Sequence, residues 1–296
     1  MLWFVLLMAV NDGMLQSRGP APLPPYAELR GAAKPSDPAA YAAAAADSQF
    51  VLQRLTYWSD GLEVVAYLYA PKEARKLPCV VWNRGSYTRG EDVPEFLAIM
   101  HRLAGEGFAV LAPMYRGSAG ASGKDELGGA DLHDLMNAAL LARNLPETDA
   151  DRLFLYGESR GGMMVLKALA EGFPARAAAT SAAFTDLGKL IDADQRANQM
   201  AHMIWPDFDQ NRDAIVAPRS ALRWAEKIRA PLLLMHGTAD STVAPQQTLD
   251  LAAELIRFKK SVDVVLFDGE KHSFRDRAAE RDALVAAKFK RYLQKP

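Results

Sequence analysis

Short apolar runs typical of β-strands alternate with longer amphipathic runs typical of α-helices between residues 78 and 293. The strand-like runs are PCVVWN, FAVLAPMY, RLFLYG, RAAAT, PLLLMHG and SVDVVLF. Consecutive strands joined by helices run parallel, and a parallel sheet buries its apolar residues under helices on each face. The alternation therefore predicts an α/β protein with a mostly parallel central sheet, helices on both faces and right-handed crossovers.

Two segments depart from this alternation. FVLQRLTYWSDGLEVVAYLYAP contains two alternating runs on either side of Ser59-Asp60-Gly61, which predicts an antiparallel hairpin. The interval between Ser181 and Ser220 is too long for an ordinary connection. It contains helix-like residues, so we expect a small helical excursion over the carboxyl ends of the strands, next to a substrate pocket if the site lies there.

The first 48 residues differ in composition from the rest. Residues 11–48 are rich in Pro and Ala, which predicts a tether or loosely packed arm with one short helix. We divide the chain into residues 1–48, an apolar start and Pro/Ala-rich arm, and residues 49–296, the ordered domain. The run MLWFVLLMAV has the length of a signal-peptide core but no basic residue before it and no clear cleavage site. Export and a cytoplasmic location stay equally open.

Composition excludes several classes of partner and cofactor. The 35 Lys plus Arg residues nearly balance the 36 Asp plus Glu, so no net field attracts nucleic acid or anionic membranes. The ten-residue apolar start is too short for a stable membrane span. Cys79 is the single cysteine, which excludes an internal disulfide and a cysteine-based zinc site. No other residues have convincing metal spacing, and RGSAGASG lacks the ending of a phosphate loop. We expect no metal and no cofactor; the oligomeric state stays open.

One segment, RLFLYGESRGGMMVLKALAEG, has the pattern of a strand, a sharp turn and a helix. Gly157 and Gly161 lie two residues before and after Ser159. Glycine permits the tight turn, and the serine hydroxyl would then stand above the sheet edge as in a nucleophile elbow. The first N–H groups of the helix, including that of Arg160, would face an oxyanion there. The G-x-S-x-G pattern alone is weak, so a turn or helix-capping serine stays the alternative.

A serine nucleophile needs a base and a group that orients the base. Asp240 follows the strand-like PLLLMHG, and His272 lies between the last strand and the last helix. The chain order Ser159, Asp240, His272 is that of hydrolases with a nucleophile elbow. The alternatives are a turn aspartate and a surface histidine. The other four histidines fit the role of base less well by position: His101, His133, His202 and His236. We interpret His236, at a strand end, as structural.

Several segments together resemble the catalytic domain of prolyl oligopeptidase-like serine peptidases, within the α/β-hydrolase superfamily. They are MYRGSAGASG, DLHDLMNAALLARNLPETDADRLFLYGESRGG and RSALRWAEKIRAPLLLMHGTADSTV. The similarity extends from about Leu52 to the end of the chain. It implies an α/β-hydrolase catalytic domain over residues 49–296, with Ser159 as nucleophile, Asp240 as acid and His272 as base. Asp131 and Asp134, three residues apart on one helix face, are interpreted as structural or solvated.

The chain departs from the family at two places. After PCVVWN the family has a His-Gly-Gly-Pro type of segment, whereas this chain has Asn83-Arg84-Gly85-Ser86-Tyr87. The resemblance aligns Ser86 with the residue whose backbone N–H binds the oxyanion, and a backbone donor tolerates a change of side chain. The roughly 50 residues before the hairpin also cannot form the propeller of many relatives. No such gate would filter substrates, so amide and ester cleavage both stay open.

The sequence predicts a serine hydrolase that acts through an acyl-enzyme. We expect a prolyl oligopeptidase-type serine peptidase acting on short peptides. One alternative is a carboxylesterase with the same triad. Another is a non-catalytic binding protein of the same fold, because fold alone does not establish activity. The expected partner is a small peptide or ester substrate.

Overall fold

A nine-stranded sheet forms the centre of the molecule in the computed structural model, which describes residues 11–30, 34–86 and 93–294. The strands, in chain order, are β1 (Leu15–Pro20), β2 (Phe50–Ser59), β3 (Leu62–Pro71), β4 (Leu77–Asn83), β5 (Ala109–Pro113), β6 (Thr148–Glu158), β7 (Ala175–Ser181), β8 (Leu232–Gly237) and β9 (Val262–Phe267). Their order across the sheet is β1-β2-β3-β5-β4-β6-β7-β8-β9. The strands from β4 onward pair in parallel, whereas β1, β2 and β3 pair antiparallel with their neighbours. The predictions of a mostly parallel sheet and of a hairpin are both confirmed.

Helices cover the sheet on both faces. The α-helices of the described residues are α1 (Pro38–Ala46), α2 (Val93–Gly105), α3 (Leu132–Arg143), α4 (Arg160–Ala170), α5 (Leu187–Ala193), α6 (Gln195–Ile204), α7 (Phe208–Val216), α8 (Gln246–Arg257) and α9 (Ala278–Lys290). Along β6, Leu153 and Leu155 join the apolar layer shared with α3, α4 and α8. The intervening Phe154 and Tyr156 join the layer shared with α1, α2 and α9. Burial on both faces explains why the central strands are almost continuously apolar.

The Pro/Ala-rich arm contributes more to the sheet than its composition indicates. The short helix expected there is α1, whose amide at Ala40 donates to the Asp37 carboxylate at 2.9 Å. Residues 15–20 also form β1, which pairs antiparallel with β2, so a merely loose tether is wrong for them. The alternation of apolar and polar residues could not reveal this strand. LQSRGP is a largely exposed edge strand, and its pairing depends on the neighbouring strand. The apolar start at residues 1–10 lies outside the described residues, and the division at residue 48 stays a prediction.

The long interval between β7 and β8 is helical, as expected. It contains α5, α6 and α7 followed by short 3-10 turns. Arg219, in the first of these turns, donates to the carbonyl oxygens of Leu127 at 2.7 Å and Glu126 at 3.0 Å. These bonds connect the excursion to the loop after β5. Within the ranges that the structure describes, no helix is both long and apolar enough to cross a membrane.

Candidate active site

Three side chains that the sequence singles out meet at the carboxyl edge of the sheet. Ser159 follows β6, Asp240 follows β8 and His272 follows β9, and the carboxyl ends of parallel strands lie on the same edge. Ser159 Oγ is 3.0 Å from His272 Nε2, and His272 Nδ1 is 2.8 Å from Asp240 Oδ2. The structure therefore brings the predicted nucleophile, base and acid into one hydrogen-bonded series.

The turn at Ser159 is sharp and strained. Ser159 has φ +52° and ψ −119°, a conformation that a non-glycine residue adopts only when its surroundings hold it there. A Cβ at Gly157 would lie 2.2 Å from the carbonyl oxygen of Gly161, and a Cβ at Gly161 would lie 2.0 Å from that of Asn83. Only glycine fits these two positions, which is the physical basis of the G-x-S-x-G spacing. The Ser159 N–H donates to Ser181 O at 2.9 Å and helps to hold the turn.

The side chain of Asp240 is fully buried, and both of its carboxylate oxygens accept hydrogen bonds. Its Oδ1 accepts the backbone N–H groups of Thr242 at 2.8 Å and Val243 at 2.9 Å, and its Oδ2 accepts from His272. Burial alone would raise the pKa of Asp240, but the hydrogen bonds from His236 and His272 hold that pKa well below its usual range. The carboxylate is thus charged and fixed in orientation, as the orienting group of an imidazole must be.

His272 lies in the loop between β9 and α9, which contacts the elbow at Ser159. Its side chain is 26% exposed, so a substrate can reach the imidazole. Phe274 is buried two residues later and packs edge-on against Phe267, with ring centroids 5.2 Å apart. The Arg281 guanidinium lies 5.5 Å from the Phe274 ring and forms an ion pair with Glu158, directly before Ser159. Arg281 therefore contacts both the histidine loop and the nucleophile strand.

The helix that begins after the nucleophile offers one of the two predicted oxyanion donors. Arg160 is the first residue of α4, so its N–H lies at the positive end of the helix dipole. In the described ranges this N–H has no hydrogen-bond acceptor. The geometry leaves a backbone donor next to Ser159 Oγ for an incoming oxygen.

The loop that carries the second predicted donor lies against the nucleophile. A Cβ at Gly85 would lie 3.4 Å from Ser159 Cβ, and the neighbouring Ser86 has φ +63°. The buried Arg84 donates to Gly85 O at 3.1 Å, while Arg160 donates to Ser86 O at 3.1 Å. The guanidinium groups of Arg84 and Arg160 thus hold the backbone of this loop in place. Tyr87 lies outside the described residues.

A buried charge cluster beneath the elbow was not foreseen from sequence. The Arg160 guanidinium donates two bonds of 2.6 Å to Asp125 and one of 2.7 Å to Asp131. Burial alone would raise the pKa of Asp131, but Arg160 and the N–H groups of Gly128 and Gly129 hold it below its usual range. Asp131 and Asp134 are both fully buried, so the solvated alternative for them is wrong and the structural one holds. The cluster fastens the start of α4 to the loop after β5.

We expect Arg160→Met to destabilise the fold by about 3–5 kcal/mol, because it leaves the buried carboxylates of Asp125 and Asp131 without their main cation. Urea unfolding followed by circular dichroism measures the change. Arg152→Met is the matched control, since its partly exposed pair with Asp149 is worth only about 0–1 kcal/mol. Equal effects of the two substitutions would contradict a structural role for the cluster.

Three of the remaining histidines pair with carboxylates outside the triad, and the fourth contacts Asp240. His101 pairs with Asp47, His133 with Asp60 and His202 with Asp209. His236, interpreted as structural from its position, is fully buried and has Nε2 3.0 Å from Asp240 Oδ2. Its position four residues before the acid was the only available signal, and it was not enough to predict this contact.

Comparison with known proteins identifies the family. Residues 94–295 match the model of the Prolyl oligopeptidase family, which is more than half of the chain. The chain belongs to the prolyl oligopeptidase family. The resemblance proposed from sequence is confirmed, and the chain is a member of a family of serine peptidases.

Individual relatives agree with this assignment. The uncharacterized peptidase YtmA of Bacillus subtilis is 28% identical over 224 residues, which are 75% of this chain and 86% of that protein. A Mycobacterium tuberculosis puromycin-hydrolysing peptidase superposes with a TM-score of 0.67 at 26% identity, covering 79% of this chain and 38% of that one.

An acetyl xylan esterase from Paenibacillus sp. R4 superposes with a TM-score of 0.68 at 16% identity, covering 83% of this chain and 85% of that one. At this identity the esterase shows a shared fold alone. The expected α/β-hydrolase fold is confirmed.

Proposed function

We propose that this member of the prolyl oligopeptidase family is a serine peptidase that cleaves short peptides through an acyl-enzyme. Ser159 is the nucleophile, His272 the general base and Asp240 the group that orients His272. One observation carries the proposal: the hydrogen-bonded series from Ser159 Oγ through both nitrogens of His272 to a buried carboxylate. A binding protein that did no chemistry would have no need of this arrangement.

The geometry gives each side chain one step of the reaction. Asp240 Oδ2 accepts the N–H at His272 Nδ1, which leaves the lone pair of Nε2 directed at Ser159 Oγ. As Oγ attacks the substrate carbonyl carbon, Nε2 takes the hydroxyl proton, and the nearby carboxylate stabilises the imidazolium. The imidazolium then protonates the leaving amine as the peptide C–N bond breaks. Water, activated by the same imidazole, attacks the acyl-enzyme and releases Ser159.

The backbone N–H groups of Arg160 and Ser86 bind the oxyanion of the tetrahedral intermediate. The first lies at the start of α4, and the second lies in the loop that abuts Ser159 and is held by Arg84 and Arg160. Preorganised donors of this kind are each worth about 10²–10³ in rate. Because the donors are main-chain groups, the NRGSY sequence can replace the family's usual segment.

A carboxylesterase with the same triad is the second candidate, because one of the structural neighbours with this fold is an esterase. The acetyl xylan esterase shares the fold of this chain, and one fold can support both activities. An ester and an amide pass through the same tetrahedral intermediate, and they differ in whether the leaving group needs a proton. The two activities therefore share the triad and differ in the pocket.

A matched pair of substrates distinguishes the two candidates. Aminoacyl and short peptidyl p-nitroanilides are compared with p-nitrophenyl esters of the same acyl groups, so that only the atom at the scissile bond differs. We expect both series to be cleaved, with p-nitroanilide hydrolysis absent in Ser159→Ala. Rapid ester turnover with p-nitroanilide cleavage no faster than in Ser159→Ala would contradict the peptidase proposal and support the carboxylesterase.

A further inference from the structure

The acid of the triad is shared by two imidazoles. Asp240 Oδ2 lies 2.8 Å from His272 Nδ1 and 3.0 Å from His236 Nε2. His236 lies on β8, four residues before Asp240, and its side chain is completely buried. The carboxylate oxygen that orients the general base therefore has a second imidazole partner, which is shielded from solvent.

The surroundings of His236 fix which nitrogen bears the hydrogen. Its Nε2 lies within hydrogen-bond distance of Asp240 Oδ2 and also 2.9 Å from the carbonyl oxygen of Val243. Both neighbours are acceptors, so Nε2 must be a donor. Its Nδ1 lies 2.7 Å from the hydroxyl of Thr248 on α8, which can donate to a neutral ring or accept from a charged one. In either state His236 donates to Asp240.

This donor changes what Asp240 can do for His272. The backbone N–H groups of Thr242 and Val243 already occupy Oδ1, so Oδ2 interacts with the two imidazoles. A hydrogen bond to a charged carboxylate stabilises that charge. With the bond from His236 in place, the carboxylate is held at both oxygens and attracts the proton of His272 less strongly. Without it, the imidazolium would be more stable and the neutral base would form only at higher pH.

We propose that His236 is a positioning residue for the triad, whose Nε2–H fixes Asp240 Oδ2 and moderates its hold on His272. This inference rests on the proposed function, because it concerns the same base. Within the part of the chain that the structure describes, the titratable side chains hydrogen-bonded to Asp240 are His236 from β8 and His272 from the loop after β9. Among the described residues, the other charged groups around the site include Glu270, before His272, the pair of Glu158 with Arg281 from α9, and the guanidinium groups of Arg84 and Arg160. They are unchanged in the variants below.

Two substitutions separate the hydrogen bond from the volume of the ring. His236→Leu removes the donor and replaces the ring with an apolar side chain of similar size. His236→Gln instead places an amide N–H near the position of Nε2. We expect His236→Leu to lower kcat about 10-fold with KM unchanged. We also expect the acidic limb of its kcat/KM profile to move to higher pH by about 0.5–1 pH unit. His236→Gln is expected to restore both towards wild type.

The readout is the pH profile per active site, with sites counted by titration with a fluorophosphonate so that misfolded protein does not contribute. His101→Leu is the control, since it removes an imidazole paired with Asp47 and should leave the profile in place. If His236→Leu does not fold, His236→Asn replaces it, because the shorter amide does not reach the position of Nε2. An acidic limb at the wild-type pH in the donor-free variant, or one displaced equally in His236→Gln, would overturn the inference. Wild-type protein that neither reacts with the probe nor hydrolyses substrate would instead refute the proposed function itself.

Discussion

Ser159→Ala is expected to lower kcat/KM by about 10⁶-fold for every substrate that the wild-type protein cleaves. The hydroxyl is the group that forms the acyl-enzyme in the proposed mechanism, and no other described side chain is hydrogen-bonded to His272 Nε2. KM need not rise, because alanine leaves the pocket intact. Initial rates with a p-nitroanilide and a p-nitrophenyl ester, together with circular dichroism of both proteins, measure the effect.

Ser181→Ala is the matched control for this loss. Ser181 lies at the end of the neighbouring strand β7, but it contacts Ser159 through its backbone oxygen, which alanine retains. We expect its activity to stay within severalfold of wild type, an effect of the size of one weak hydrogen bond. A residual activity of Ser159→Ala within tenfold of wild type, with Ser181→Ala unchanged, would remove Ser159 from the role of nucleophile.

Asp240→Asn is expected to lower kcat by about 10⁴-fold at neutral pH while the fold is retained. The N–H groups of Thr242 and Val243 bind the side-chain oxygen at the position of Oδ1. The amide NH₂ is therefore left facing His272 Nδ1. A donor at that place favours the tautomer with hydrogen on Nε2, which cannot accept the proton of Ser159. Steady-state kinetics measure the change, and a loss of less than tenfold would contradict the orienting role of Asp240.

Local chemistry explains why the strand, turn and helix around Ser159 could be predicted from sequence. Gly157 is required by a backbone contact within the turn, and Gly161 by the close approach of the Asn83 carbonyl oxygen at the end of β4. Both requirements leave glycine at fixed positions around Ser159, so a five-residue pattern reveals the turn. Asp240 and His272 could be located because each follows a strand whose apolar run is readable, and parallel strands end on one edge. The order of elements is thus encoded in segments of about ten residues each.

Features that depend on distant partners were not predictable in this way. β1 forms because β2 offers its backbone, and its own side chains hardly contribute to the core. The burial of Arg160 depends on Asp125 and Asp131, which lie 35 and 29 residues earlier in the chain. A lone arginine or aspartate in a sequence gives no indication that it is buried, because only the folded chain brings the compensating charge.

The contact between His236 and Asp240 belongs to this second group although it is close in sequence. A separation of four residues brings two side chains together on a helix, but here the chain leaves β8 and turns after His236. The shape of that turn, held by the backbone bonds of Thr238 to Phe267 and of Ala239 to Glu270, decides the contact. Such turns are the part of the site that strand and helix patterns leave undetermined.

The central claim is that Ser159 forms a covalent intermediate, and labelling of the wild-type and Ser159→Ala proteins described above tests it most directly. Each is incubated with a fluorophosphonate at neutral pH, and the adduct is located by mass spectrometry of the digested protein. We predict one adduct per wild-type chain, on the peptide containing Ser159, and none in Ser159→Ala. An adduct at another residue, or equal labelling of the two proteins, would contradict the proposed mechanism.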